Sequence, residues 1–97
     1  MKTPTDCGSL GDVRQAIDHV DEQIIALLGL RADYVRAAAR LKASESEIAA
    51  PDRQASMLRA RRQWADREGL DPSFAEKLFR DVVAYFIDRE REHWKSR

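Results

Sequence analysis

The sequence predicts an all-α protein built from three helices, and three observations support this prediction. Apolar residues recur every three or four positions over long stretches, which is the period of a helix and not of a strand. Start and stop signals for helices separate these stretches. No run alternates between apolar and polar residues, and neither an internal repeat nor a glycine-rich phosphate loop occurs in the 97 residues.

The composition is that of a soluble globular or coiled protein, because 43% of the residues are apolar and 35% are charged. Seventeen basic side chains balance seventeen acidic ones, so no general field attracts nucleic acid or an anionic membrane. The N-terminal residues lack the apolar core of a secretory signal, and no stretch reaches the ~18 apolar residues of a membrane span. We therefore expect a cytoplasmic protein that binds neither nucleic acid nor membranes.

The first predicted helix begins after Ser9, a good N-cap residue, and runs without a proline to Lys42. Its apolar stripe consists of Leu10, Val13, Ile17, Val20, Ile24, Leu27, Tyr34, Ala38 and Leu41. At ~1.5 Å per residue this helix is roughly 50 Å long, whereas a compact domain of this size has a diameter of roughly 33 Å. A helix that projects past its own core leaves apolar side chains in water, and a second copy of the chain usually covers them. We therefore expect a homodimer.

The segment "KASESEIAAPD" is small and polar, and it predicts a loop with room for a mobile lid. Pro51 then suits the first turn of a second helix, which ends near Gly69. The apolar face of the second helix holds Met57, Leu58, Ala60, Trp64 and Ala65. Asp71 and Pro72 begin the third helix. Its apolar residues are Phe74, Leu78, Phe79, Val82, Val83, Phe86 and Ile87.

Two cations lie on the apolar side of the first helix. At about 100° per residue, Arg31 falls within about 20° of both Ala38 and Lys42. A small alanine between two long cationic side chains forms a shallow cavity with positive ends, which suits a small dianion. Arg14 lies seventeen residues before Arg31, a rotation of about 260° round the helix, so the two side chains leave it in different directions. Arg14 can therefore join such a cavity only from a partner chain.

The other two predicted helices repeat this arrangement. Glu90 lies four residues beyond Phe86, and Arg53 lies four before Met57, so both charged side chains fall on apolar stripes. One interpretation is a buried ion network, for example Arg31 with Glu90, that fixes the register of the helices. The other is a ligand with carboxylates, because three cations facing one carboxylate leave positive charge that a closed core does not tolerate.

Short motifs along nearly the whole chain resemble those of a known family. They are "MKTP" and "DC" at the start, "AID", "ADYV" and "KASE" through the first helix, "AP" at the end of the loop and "GLD" before the third helix. On these motifs the chain resembles the all-helical chorismate mutases, and within them the isochorismate pyruvate lyases of bacterial salicylate-siderophore synthesis. The resemblance implies one chorismate mutase type II domain over residues 1–97, forming an intertwined three-helix homodimer that needs no cofactor.

The resemblance also implies roles for individual residues. With the cavity at Ala38, the candidate substrate-binding residues are Arg14, Arg31, Arg53, Ala38 and Phe86. Arg14 would enter the partner's site, and Lys42 would be the catalytic cation that bonds the ether oxygen and a carboxylate of the substrate. The related lyases have glutamine at position 90, whereas this chain has Glu90, which must be protonated before it donates a hydrogen bond. We take Glu90 as the second catalytic candidate.

Three functions are compatible with these residues. The first is an isochorismate pyruvate lyase that makes salicylate and pyruvate by a pericyclic reaction, with secondary chorismate mutase activity. The second, favoured by Glu90, is a chorismate mutase that converts chorismate to prephenate. The third is an inactive helical dimer whose internal charges serve only register. His19 and His93 lack a second ligand at helical spacing and Cys7 is the single cysteine, so we predict no metal site and no disulfide.

Overall fold

A computed structural model describes residues 2–95, which form helices and connecting turns. Helix α1 spans Leu10–Leu41, α2 spans Ser46–Ala49, α3 spans Pro51–Arg67 and α4 spans Pro72–Lys95, and a short 3₁₀ turn at Pro4–Asp6 precedes them. No strand occurs among these described residues, and none of their helices is long and apolar enough to cross a membrane. The predicted all-α class with three long helices is confirmed.

The chain divides within α1 into two compact units, one up to Tyr34 and one from Val35 onward. The first unit holds most of α1, and its large apolar side chains lie in solvent. Those that are at least 38% exposed are Leu10, Val13, Ile17, Val20, Ile24, Ile25, Leu27, Leu30 and Tyr34. The predicted stripe therefore exists, and a single chain leaves it uncovered.

The start of α1 is fixed by side-chain caps. The backbone N–H of Asp12 donates to Ser9 Oγ at 3.1 Å, as the sequence predicts. The Asp12 carboxylate accepts hydrogen bonds from Lys2 Nζ at 2.9 Å and from the Gly8 N–H at 3.1 Å. These two bonds, with that from Lys2 as the larger cause, lower the pKa of the Asp12 carboxyl below its ordinary value.

In the second unit α3 and α4 pack against each other, and α2 packs on α4. The buried apolar side chains of this unit are Ala39, Ile48, Met57, Leu58, Ala65, Ala75 and Phe86. All seven lie between Val35 and the end of the described residues, so this core belongs to the second unit. It includes the last turns of α1, and it therefore fixes the position from which Lys42 leaves that helix.

The turn between α3 and α4 follows the signals in the sequence. Gly69 has a φ of 76°, in the left-handed region where glycine carries no steric penalty. The Leu70 N–H donates to Ala65 O at 2.8 Å and the Gly69 N–H donates to Asp66 O at 3.1 Å, which is the Schellman arrangement. Asp71 then caps α4, because its Oδ1 accepts the Ser73 N–H at 2.9 Å.

The prediction of a loop between the first two long helices is wrong at Ser46–Ala49, which forms the one-turn helix α2. The turn forms because Ile48 buries its side chain to 4% exposure. Ala50 then adopts the left-handed conformation, with φ 34° and ψ 67°. The left-handed conformation costs a residue with a Cβ about 1 to 2 kcal/mol. The right-handed helical conformation is also disfavoured for Ala50, because the ring of the following Pro51 clashes with it.

The predicted apolar faces of α3 and α4 are partly correct. Met57, Leu58, Ala65 and Phe86 are buried, whereas three of the predicted residues are exposed. Trp64 is 46% exposed, Phe74 is 56% exposed and Leu78 is 45% exposed. The buried residues of α3 are Met57, Leu58 and Ala65, and Trp64 lies at the edge of the face that they form.

Candidate active site

An ion pair between Lys42 and Glu90 forms the centre of the candidate site. Lys42 directly follows the end of α1, and Glu90 lies on α4. Lys42 Nζ donates to Glu90 Oε2 at 2.8 Å. The Glu90 side chain is 9% exposed and that of Lys42 is 22% exposed. Glu90 thus lies inside the unit, as its place on the apolar stripe predicts.

The helical period explains why a carboxylate is buried here. Ala75, Phe86 and Glu90 fall within about 60° of one another around α4, and all three are buried. The Phe86 ring meets the ring of Tyr85 edge to face, with centroids 5.1 Å apart. Glu90 therefore continues an apolar face by one turn, and the low dielectric there strengthens its attraction to the Lys42 ammonium.

The partner of Glu90 differs from the example that the sequence suggested. One interpretation paired Glu90 with Arg31, whereas the structure pairs it with Lys42. The flexible stem of Lys42 leaves the end of α1 inside the same unit as α4, which lets its ammonium reach the carboxylate. The structure thus contains a buried ion pair, which one interpretation expected to fix the register of the helices. Its cation, Lys42, is also the predicted catalytic residue.

The other candidates are placed as follows. Ala38 is half-buried on α1, one turn before Lys42, and Phe86 is buried on α4. In the first unit, Arg14 is exposed and Arg31 is half-buried. The structure brings Lys42 together with Glu90 and leaves the roles of the arginines as predictions.

The prediction that Arg53 points to the interior is wrong for this chain, because its side chain is exposed. At 100° per residue, Leu58, Ala65 and Gln54 lie within about 40° of one another on α3, and Arg53 is about 100° from Gln54. Using Trp64 as a guide therefore placed the buried face too far to one side. Gln54 is the half-buried polar residue that this face contains in its first turn.

The predictions from the sequence omit two further residues that make side-chain contacts in the second unit. Gln54 donates its side-chain amide to the Ala49 carbonyl. Arg61 places its guanidinium over the rings of Trp64 and Phe79, at 4.7 Å and 5.4 Å from their centroids. For Gln54, its helical alignment with Leu58 and Ala65 was the available signal.

Comparison with known proteins decides the family. Residues 13–91 match the family described as chorismate mutase type II. The chain belongs to that family. It is 48% identical over 96 residues to an isochorismate pyruvate lyase of Pseudomonas aeruginosa, a match that covers 99% of this chain and 95% of that protein. The resemblance inferred from the sequence motifs, and with it the prediction of an enzyme, is confirmed.

More distant relatives carry this chorismate mutase type II sequence as a small part of a longer chain. The T-protein of Haemophilus influenzae is 33% identical over 73 residues, which cover 74% of this chain and 19% of that protein. The T-protein of Enterobacter agglomerans is 35% identical over 72 residues, which cover 73% of this chain and 19% of that protein. Among these three relatives, the Pseudomonas protein matches over nearly the whole length of both chains.

The donor set at the site suits an anionic organic molecule. Among residues 2–95, no group of three or more His, Cys, Asp or Glu side chains is placed to hold a metal ion. The partly buried ammonium of Lys42 can stabilise negative charge that develops on an oxygen atom, because little water competes for it. The exclusion of a cofactor stays a prediction.

Proposed function

We propose that this chorismate mutase type II protein is an isochorismate pyruvate lyase, which converts isochorismate to salicylate and pyruvate. The observation that carries the proposal is the 48% identity to the Pseudomonas lyase over 99% of the chain. The Lys42–Glu90 pair supports it, because it supplies a catalytic cation in a region of low exposure.

In the proposed reaction a ring hydrogen moves to the enolpyruvyl group while the ether bond to the ring breaks. All atoms of isochorismate appear in the two products, so no co-reactant is required. Such a step depends on holding the enolpyruvyl group over the ring and on stabilising charge at the departing oxygen. Lys42 would bond that oxygen with its compact ammonium group.

Glu90 has two tasks in this proposal. As a carboxylate it pairs with Lys42 at 2.8 Å and keeps the ammonium in place when no substrate is bound. In its neutral form it donates a hydrogen bond to the substrate, as an amide would do at this position.

We also propose that the enzyme is a homodimer located in the cytoplasm. The exposed stripe on α1 supports the dimer, as does an apolar groove of about 420 Å³ whose lining includes Val13, Ile17 and Val20. In this dimer Arg14 would reach the partner's site, and Arg31 and Arg53 would bind carboxylates and hydroxyls of the substrate. The exposure of Arg53 is compatible with a residue that meets its ligand at the surface of the unit.

The proposal is tested by incubating the purified protein with isochorismate and following salicylate by its fluorescence. We expect salicylate and pyruvate in equal amounts, at a rate far above the spontaneous reaction. A Lys42→Ala variant serves as the control for contaminating activity. If wild-type protein forms no salicylate above the spontaneous background, the proposed function is wrong.

A second candidate function is chorismate mutase, which is favoured by the family match over residues 13–91 and by a carboxylate at position 90. One site can serve both reactions, since each requires orientation of the same enolpyruvyl ether. Measuring kcat/KM for chorismate and isochorismate on one preparation separates the two. We expect the larger value for isochorismate; a larger value for chorismate would make the mutase the main activity.

A further inference from the structure

We propose that Gln54 is a positioning residue for this site, because its side-chain amide holds the segment Ala43–Ala50 in place and thereby sets the position of Lys42. The inference depends on the proposed function, since it assigns a role to a residue that acts through the catalytic lysine. It rests on a chain of contacts that begins at Gln54 in the first turn of α3 and ends at Ala43, the residue that follows Lys42.

The first contact joins α3 to the end of α2. The Gln54 amide donates to the carbonyl of Ala49, the last residue of α2. The next residue, Ala50, stands in the left-handed conformation with φ 34°. An alanine there needs contacts that hold it, because the left-handed region is unfavourable for a residue with a Cβ. The bond from Gln54 constrains the peptide that connects Ala49 to this residue.

The second step runs from α2 to α4. Ile48 is 4% exposed, and it is the buried residue of α2, which packs on α4. Glu90 lies on the same helix α4. Ala49 is next to Ile48, so the bond from Gln54 fixes the end of α2. Since α2 packs on α4, this bond also fixes α2 against the helix that carries Glu90.

The third step returns to Lys42. The carboxylate of Glu47, on α2, accepts the backbone N–H of Ala43 at 3.3 Å. Ala43 follows Lys42 directly, so this bond ties α2 to the peptide that leads out of the catalytic lysine. A shift of α2 would move this peptide, and a displacement of about 1 Å at a reacting group is enough to lower a rate substantially.

The alternative is that Gln54 only contributes to the core of α3 and α4. Its side chain is half-buried on the same side as Leu58 and Ala65, so loss of packing there would lower stability as a whole. The two roles differ in where they act. If Gln54 is a positioning residue, substituting it loosens Ala43–Ala49 alone and lowers kcat. If it only packs, substituting it loosens α3 and α4 as well.

The test uses Gln54→Met, which keeps the length of the side chain and removes the amide donor. The matched control is Gln63→Met, since Gln63 is an exposed glutamine on the same helix. Two quantities are measured on the full chain: amide hydrogen exchange, resolved by segment, and kcat and KM for isochorismate.

For Gln54→Met we expect exchange in Ala43–Ala49 to be about fivefold faster and kcat to be about fivefold lower, with KM changed less than about twofold. Exchange in α4 and all properties of Gln63→Met should match wild type. Unchanged exchange in Ala43–Ala49, faster exchange throughout α3 and α4, or an unchanged kcat would each overturn the inference. If wild-type protein lacks lyase activity, the proposed function fails separately, and the exchange measurement still tests the contact at Ala49.

Discussion

The two units of this chain violate the usual distribution of side chains in opposite ways. The first unit exposes its apolar residues to water: Ile17 is 51% exposed and Ile24 is 49% exposed. The second unit buries a carboxylate, Glu90, to 9% exposure. Neither arrangement is favourable by itself. Burying apolar surface stabilises a protein by about 25 cal/mol per Å², so exposed apolar side chains forgo this free energy. An isolated buried ion costs several kcal/mol.

Each unit suits a different kind of partner. An apolar stripe is covered by another apolar surface, and a second copy of the same helix provides one. A buried carboxylate and ammonium that already satisfy each other need no further protein group, yet both can exchange this contact for bonds to a charged ligand. The first unit therefore supports the proposed dimer, and the second unit supports the proposed binding of an anionic substrate. Different variants test the two proposals.

The largest effect is expected for Lys42→Arg. A planar guanidinium keeps the charge and can still pair with Glu90, but it cannot present the same compact charge to one ether oxygen. We expect kcat for isochorismate to fall by about 10²- to 10³-fold, with little change in thermal stability. Lys77→Arg, on an exposed position of α4, is the control. Near-wild-type turnover of Lys42→Arg would exclude Lys42 as the cation at the breaking bond.

The next effect tests the first unit. Ile17→Asp places a charge in the exposed stripe, where a single chain would tolerate it, since Ile17 is 51% exposed. In the proposed dimer the same change buries an unpaired carboxylate, so we expect the dimer to dissociate in sedimentation experiments and activity to fall, though less than in Lys42→Arg. Gln15→Asp, an exposed position outside the stripe, should remain dimeric. If the wild-type protein sediments as a monomer, the proposed role of the stripe is wrong.

A smaller effect is expected for Glu90→Gln. A carboxylate only accepts hydrogen bonds, whereas a glutamine amide also donates one, so the variant can offer the substrate a donor at this position. We expect kcat/KM for isochorismate to rise, by at most about tenfold, which is the contribution of about one hydrogen bond. A kcat/KM at or below the wild-type value would contradict a donor role for position 90.

The smallest effect concerns the start of α1. Hydrogen bonds from Lys2 and Gly8 lower the pKa of Asp12, so the folded state stabilises the ionised carboxylate. This contribution is complete above the ordinary value of 3.8 and is lost as the pH falls through the lowered folded-state value. Asp12→Asn should therefore lower the melting temperature slightly at neutral pH, and the difference from wild type should disappear in strong acid. A difference that persists there would have another cause.

Much of the fold follows from local signals that the sequence carries. The cap at Ser9, the turn at Gly69 and the cap at Asp71 all act within a few residues, so they are predictable from the residues themselves. The helix α2 was missed because its stability comes from burying Ile48 against α4 and not from its own composition. A single turn has little intrinsic stability, so only tertiary packing explains it.

The sequence predicts which side of a helix a site residue lies on better than it predicts the contacts of that residue. Helical spacing placed Glu90 on the buried side of α4, and the structure agrees. The choice of Lys42 as its partner depends on the path of the chain after α1, which periodicity does not describe. The orientation of Arg53 was wrong because Trp64, a large apolar residue, lies at the edge of the buried face instead of its centre. Large side chains are therefore weaker guides to a face than small buried ones such as Ala65.

If isochorismate binds and reacts at the Lys42–Glu90 pair, the products should bind there too. A crystal structure with salicylate and pyruvate bound should show a product carboxylate within about 3 Å of Lys42 Nζ, and a Glu90 side chain that has given up or shared its bond to that ammonium. Products bound elsewhere, with the pair between Lys42 and Glu90 still closed at 2.8 Å, would show that the pair is not the substrate site.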